Sequence, residues 1–142
     1  MPIVYTGGTF DLFHSGHANF LKRCAEIGDV VVSLNTDEFI KKYKGSSPII
    51  LFEDRKAVLE SCKYVSKVIP NIGNEDSKIT ISLVKPDYVV IGSDWARKDY
   101  YSQMNFTQDW LDNNNIGLVY IPYTDGISST KIKSLMKKDL EF

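Results

Sequence analysis

The sequence predicts an α/β protein: a single doubly wound, Rossmann-like domain on a five-stranded parallel sheet. Three observations predict it. Strand-like apolar runs alternate with helix-like segments along the whole chain. Several of those runs are apolar without alternation, as strands covered on both faces are. The loops that leave the runs carry glycines, histidines and hydroxyls, and open parallel sheets hold their ligands at those loops.

Taken in order, Pro2-Ile3-Val4-Tyr5-Thr6 is a short β-branched run that ends at Gly7-Gly8, a strand opening into a tight loop. Over 17–27, Phe20, Leu21, Cys24, Ala25 and Ile27 recur at helical spacing, and Gly28 follows as a stop. Val30-Val31-Val32-Ser33-Leu34 is the second strand. Residues 41–52, with Lys41, Lys42, Lys44, Gly45, Ser46, Ser47 and Pro48, read as a mobile loop. A helix is predicted over 53–63, with Ala57, Val58 and Cys62 on one side, and the third strand lies within 64–70. A helix over 75–84 leads to Asp87-Tyr88-Val89-Val90-Ile91, which ends at Gly92. After an irregular stretch over 93–104 come a helix over 105–114, the strand Leu118-Val119-Tyr120-Ile121 and a closing helix over 130–138. No internal repeat or Pro/Gly/Ser-rich linker interrupts this rhythm, so residues 1–142 are expected to form one domain.

The bulk numbers narrow the function. A net charge of −1 offers no general attraction to nucleic acid or an anionic membrane. No apolar run approaches the roughly 20 residues that cross a bilayer, and the first residues lack a signal-peptide pattern. Cys24 and Cys62 both lie in apolar-periodic segments, which suits reduced core cysteines and a cytoplasmic protein. No Cys/His cluster has zinc spacing, and no protein metal site is expected. Anion binding must come from a local site.

The first loop supplies one. It reads Gly7-Gly8-Thr9-Phe10-Asp11-Leu12-Phe13-His14-Ser15-Gly16-His17, with a helix starting near its end. Free amides and the dipole at a helix start favour a phosphate. His14 and His17 are the chain's two histidines, three residues apart around Gly16, so both rings can face one point. The loop has neither the GxxxxGK[ST] pattern nor the spacing of a dinucleotide-binding turn. Near the other end, Ser128, Ser129 and Thr130 precede the closing helix. Hydroxyls there can cap the helix, which takes only one of them, or hold phosphate beside its amides. Asp94, just past Gly92 at a strand end, can accept a proton from the exocyclic amine of cytosine or adenine.

The string Gly8-Thr9-Phe10-Asp11-Leu12-Phe13-His14-Ser15-Gly16-His17 resembles the HxGH signature of the cytidylyltransferase family. Thr124-Asp125-Gly126-Ile127-Ser128-Ser129-Thr130-Lys131-Ile132 resembles that family's second signature, RTEGISTTxI. Asn35-Thr36-Asp37-Glu38-Phe39, Glu53-Asp54-Arg55-Lys56, Lys63-Tyr64-Val65-Ser66 and Ile91-Gly92-Ser93-Asp94-Trp95 fall between them in the family's order. The match spans nearly the whole chain and is most similar to the short bacterial glycerol-3-phosphate cytidylyltransferases.

The resemblance implies transfer of CMP from CTP to a small phosphorylated alcohol, glycerol 3-phosphate first, with release of pyrophosphate. The acceptor phosphate is already ionised, with a second pKa of about 6, and needs no nucleophilic side chain. The protein has to align two phosphates and neutralise developing charge. By resemblance, His14, His17 and Lys44 are catalytic. Gly8, Thr9, Phe10, Gly16, Arg55, Gly92, Asp94, Tyr123, Thr124, Gly126, Ile127, Ser128, Ser129 and Thr130 bind nucleotide, with Arg55 either near the phosphates or in a structural pair beneath them. Asp11, Lys42, Lys63 and Lys78 face the acceptor. Mg²⁺ enters with the triphosphate, and a homodimer is implied. The chain departs from the pattern at Tyr123, where the family has arginine, and at Lys63, where it has arginine again. It also carries a longer stretch over 97–115. Two other readings stay open: an adenylyltransferase acting on a heptose-like sugar phosphate, whose ending Asp125-Gly126-Ile127-Ser128-Ser129-Thr130 also resembles, and a nucleotide-binding regulatory subunit without turnover.

Overall fold

A computed structural model describes residues 1–92, 104–122 and 126–139. Five strands, β1 (Ile3–Gly8), β2 (Asp29–Leu34), β3 (Lys67–Pro70), β4 (Tyr88–Gly92) and β5 (Gly117–Ile121), form one all-parallel sheet in the order β3-β2-β1-β4-β5. Between them run α1 (Ser15–Ile27), α2 (Asp37–Lys44), α3 (Phe52–Ser61), α4 (Ser77–Val84) and α5 (Gln108–Asn113), and α6 (Ser129–Asp139) follows β5. The fold is the doubly wound α/β sheet that the alternation predicts.

Two apolar clusters flank the sheet. Leu21 and Cys24 of α1 and Leu59 of α3 pack with Val4, Val30, Val32 and Val90 on one face. Ile81 of α4 and Leu111 of α5 pack with Tyr5, Val89 and Ile91 on the other. Successive strand residues point to opposite faces, so β1, β4 and β5 feed both clusters, while β2 and β3 feed only the first.

β1 pairs with β2 along six residues, from Ile3↔Asp29 to Gly8↔Leu34. With β4 it pairs only through Val4↔Tyr88 and Tyr5↔Val89. The carboxyl ends of β1 and β4 therefore part. This is also where the strand order reverses, the position at which doubly wound sheets hold ligands.

One predicted element was wrong in kind. The stretch expected as a loop from Lys41 onward begins inside α2, which carries Lys41, Lys42 and Lys44 in its last turn. Thr36 caps it by accepting from the Phe39 amide, Asp37 and Glu38 stand in the first turn, and Gly45 closes it at φ 78°. All of these suit a helix with its dipole compensated at both ends. Nor is the remainder loose, because the Ile49 and Ile50 amides donate to Asp11 at 2.8 and 2.9 Å.

Candidate active site

The site is built on the loop from Thr9 to His14. Phe10 and Leu12 lie in the left-handed region, at φ 51° and 52°. Bulky residues adopt that backbone only where the surroundings hold it. Much of the hold is Arg55, 1% exposed. Its Nη1 donates to the Thr9 carbonyl at 2.8 Å, its Nε to the Ile50 carbonyl at 2.8 Å and its Nη2 to Asp37 Oδ1 at 2.7 Å. The expectation that Arg55 binds nucleotide is thus corrected in favour of the structural pair: its guanidinium is a buried strut beneath the loop, with all three nitrogens engaged by the protein.

At the end of this loop the two histidines cap α1 reciprocally. His14 Nδ1 accepts from the Gly16 amide at 3.0 Å, and His17 Nδ1 accepts from the His14 amide at 3.1 Å. A nitrogen that accepts carries no proton, so both neutral rings hold theirs on Nε2. The rings stack with centroids 3.8 Å apart. Burial pushes the His14 pKa down. Burial first, and then the neighbouring His14, push His17 down to about 4, against a smaller upward pull from Asp11. At neutral pH the site presents two uncharged Nε2–H donors. Gly16 makes this arrangement possible, since a methyl built there would stand 2.8 Å from His14 Cε1.

The other end of the chain closes onto the same loop. Ser129 Oγ donates to the Asp11 carbonyl at 2.5 Å, and Lys133 Nζ, one turn on, lies 3.5 Å from Asp11 Oδ2. Ile127 approaches Gly16, where a methyl would meet its Cγ2 at 3.5 Å. The three hydroxyls divide the work. Ser128 is the cap, accepting from the Lys131 amide at 3.0 Å. Ser129 is the tether. Thr130 is exposed, and its hydroxyl has no hydrogen bond among the described residues.

Asp11, expected on the acceptor side, is 5% exposed and turned inward. Burial raises its pKa, but the Ile49 and Ile50 amides and Lys133 outweigh that and hold the carboxyl below its ordinary value. It joins three segments, and its oxygens are spent on them.

Gly8 and Gly92 end the parting strands β1 and β4. Lys78 stands at the start of α4, on the same carboxyl edge of the sheet. Lys63 does not belong to that edge. It precedes β3, on the amino-terminal side, with its ammonium 5.3 Å from the Tyr64 ring centre. The acceptor-side expectation for Lys63 is therefore corrected within this chain. Asp94, Tyr123 and Thr124 lie outside the described residues, as does Asp125. Among the described residues no group of three or more His, Cys, Asp or Glu is placed to hold a metal ion, and no helix is long and apolar enough to cross a membrane.

Sequence reasoning missed Asn35, Asn71 and Lys133. Asn35 and Asn71 each follow an apolar strand run directly, which was the available signal. Lys133 lies four residues after Ser129 and so on the same helix face.

The sequence model of the cytidylyltransferase-like family matches residues 5–135. The chain is 40% identical over 134 residues to glycerol-3-phosphate cytidylyltransferase of Bacillus subtilis (strain 168), covering 94% of this chain and 95% of that one. It is 37% identical over 134 residues to glycerol-3-phosphate cytidylyltransferase of Staphylococcus aureus (strain NCTC 8325 / PS 47), covering 94% and 93%. A solved structure, the lipopolysaccharide core biosynthesis protein from Thermoplasma volcanium GSS1, superposes with a TM-score of 0.71 at 27% identity, covering 88% of this chain and 99% of that one. With a parting of β1 and β4, a reciprocal histidine cap and a second signature docked on it, the chain belongs to the cytidylyltransferase-like family.

Proposed function

We propose that this protein transfers CMP from CTP to glycerol 3-phosphate, giving CDP-glycerol and pyrophosphate. The observation that carries the reading is the pair of neutral Nε2–H donors at His14 and His17, fixed by reciprocal capping and tied to the α6 hydroxyls through Asp11. Relatives of that name cover almost all of the chain.

The chemistry needs little more. A phosphate oxygen of glycerol 3-phosphate attacks the α-phosphorus of CTP. The new P–O bond forms as the bond to the β-phosphate oxygen breaks, and the electron pair leaves with pyrophosphate. His14 and His17 donate to the phosphoryl oxygens as their charge grows. Thr130 and the first amides of α6 hold the β- and γ-phosphates. Gly8, Thr9, Phe10, Gly16, Gly126 and Ile127 shape the nucleotide side, and the family resemblance gives nucleotide binding also to Gly92, Asp94, Tyr123 and Thr124. Lys44 and Lys42, at the end of α2, offset charge between the two substrates, and Lys78 faces the acceptor. Asp11 and Arg55 act by holding these segments together. Mg²⁺ would enter with CTP and would supply charge neutralisation on the triphosphate.

The reading includes a cytoplasmic homodimer. Pairing of two copies, though not location, is supported by a mostly apolar groove on one sheet face, lined by Ile3, Val31, Lys67, Ile69, Ile72 and Leu83, of which Ile72 and Leu83 are exposed. Light scattering on the eluting protein tests it, at one chain mass or two.

Function is tested by a pyrophosphate-release panel of CTP, ATP, GTP and UTP crossed with glycerol 3-phosphate, phosphocholine, phosphoethanolamine and sugar phosphates. CTP with glycerol 3-phosphate is expected to be fastest. ATP with a sugar phosphate as the best pair supports the adenylyltransferase reading instead. Tight nucleotide binding without pyrophosphate from any pair supports the regulatory subunit.

A further inference from the structure

Three residues follow the first three strands directly: Thr9 after β1, Asn35 after β2 and Asn71 after β3. The ladder continues through them, with the Asn35 amide donating to the Gly8 carbonyl at 2.9 Å and the Asn71 amide to the Leu34 carbonyl at 2.8 Å. They form a row along the carboxyl edge of the sheet. Their side chains are joined in that row, and Thr80 of α4, fully buried, extends it.

The direction of every bond in the row is fixed by one atom. Asn71 Nδ2 lies 3.0 Å from the Asn74 main-chain carbonyl, which can only accept. The Asn71 amide therefore cannot be flipped. Its Oδ1 faces Thr80 Oγ1 at 3.2 Å, so Thr80 donates. Its second Nδ2 proton goes to Asn35 Oδ1 at 2.9 Å, which turns Asn35 Nδ2 toward Thr9 Oγ1 at 3.1 Å. Thr9 Oγ1 accepts. No described residue accepts the Thr9 hydroxyl proton, and the Thr9 carbonyl is held by Arg55 at 2.8 Å. Bonds aligned in one sense polarise one another, so the last hydroxyl is a better donor than a free one.

We infer that Thr80, Asn71 and Asn35 form a one-way hydrogen-bond row that makes the Thr9 hydroxyl an obligate outward donor to a phosphoryl oxygen of the nucleotide, with Asn35 and Asn71 as positioning residues. This rests on the proposed nucleotidyl transfer and adds to it a donor whose direction is set from outside the two signature motifs. The row also ties the nucleotide loop to the segment after β3 that leads to Lys78.

The test is a cycle of Thr9→Val and Asn35→Asp, with Thr9→Ser as the conservative variant, read as kcat and KM for CTP. Val keeps the shape of Thr without a donor. At neutral pH Asp has no amide to offer Thr9. It accepts from Asn71 and then from Thr9, turning the hydroxyl inward. A hydrogen bond to a charged group is worth about 1.5–3 kcal/mol, so Thr9→Val is expected to lower kcat/KM by about 10- to 100-fold, with Thr9→Ser close to wild type. Asn35→Asp is expected to match Thr9→Val and to add less than about two-fold in its presence, a non-additivity that loss of structure alone does not give. Thr9→Val at wild-type activity, or losses that multiply in the double variant, overturns the inference. If Asn35→Asp does not fold, the Thr9→Val and Thr9→Ser pair still decides. A wild-type protein inactive across the substrate panel defeats the proposed function; an active one indifferent to Thr9→Val defeats only the row.

Discussion

Ser129 and Asp11 lie 118 positions apart, and the serine hydroxyl donates to the aspartate's main-chain carbonyl at 2.5 Å. This bond seats the start of α6 against the histidine loop, so neither signature makes the site alone. Lys133 reinforces it from the next turn, reaching the Asp11 carboxylate. Ser129→Ala is expected to lower kcat/KM by about ten-fold, the worth of one hydrogen bond at the upper end of its range. Its thermal unfolding should shift little, because among the described residues α6 makes few contacts with the sheet. Steady-state kinetics beside a melting curve checks both halves.

Gly16 gives a sharper test. A methyl there would stand 2.8 Å from His14 Cε1 and 2.9 Å from His14 Nδ1. Alanine is a better helix residue than glycine, so stability should hold. The His14 ring must move, and its Nε2 with it. Gly16→Ala is expected to lower kcat by about 10² to 10³, the loss that follows removal of one transition-state donor. An unchanged kcat in a folded variant would show that His14 need not sit where the cap holds it.

Arg55 should affect stability as well as activity. Its three bonds hold the Thr9 loop, the Ile50 carbonyl and Asp37. Lysine has one compact ammonium and cannot reproduce that fork. Arg55→Lys is expected to cost about 3 kcal/mol, read as a lower urea midpoint. Wild-type stability in that variant would place the loop's support elsewhere.

The histidines set a pH dependence of stability. His17 has a folded pKa of about 4, pushed down by burial, against an unfolded value near 6.5. Between those values the unfolded chain binds the extra proton, so stability rises with pH. It is fully present above about 6.5 and lost as pH falls toward 4. His14, shifted the same way by burial, adds to the loss. Protonation at Nδ1 also breaks the cap bond that each ring accepts. Urea unfolding from pH 7.5 to 4 checks this, and a flat profile contradicts a buried neutral His17.

Much of the fold could be read in the chain because the signal was local. Val30-Val31-Val32-Ser33-Leu34 can be little but a strand covered on both faces, and Leu21 and Cys24 mark the buried side of α1. The parallel sheet followed from alternation, but the strand order, and with it the switch point between β1 and β4, did not. The site was legible where residue type limits the chemistry, as with two histidines around a glycine. α2 was missed because its lysines and the Gly45-Ser46-Ser47-Pro48 stretch outweighed its caps. Arg55, Asp11 and Lys63 were misplaced for another reason. Whether a charge faces ligand, strut or solvent depends on which segments pack over it, and spacing does not carry that. The Thr9–Asn35–Asn71 row was invisible for the same cause, since strand neighbours lie tens of residues apart.

The most direct measurement of the central claim follows the phosphorus atoms themselves. The purified protein is incubated with Mg²⁺, CTP and glycerol 3-phosphate and watched by ³¹P NMR, beside His14→Ala and His17→Ala. Two coupled diphosphate resonances of CDP-glycerol should grow with pyrophosphate in equal amounts, at rates about 10² to 10³ lower in either variant. No CDP-glycerol from the wild type, or equal rates in the histidine variants, would contradict the account.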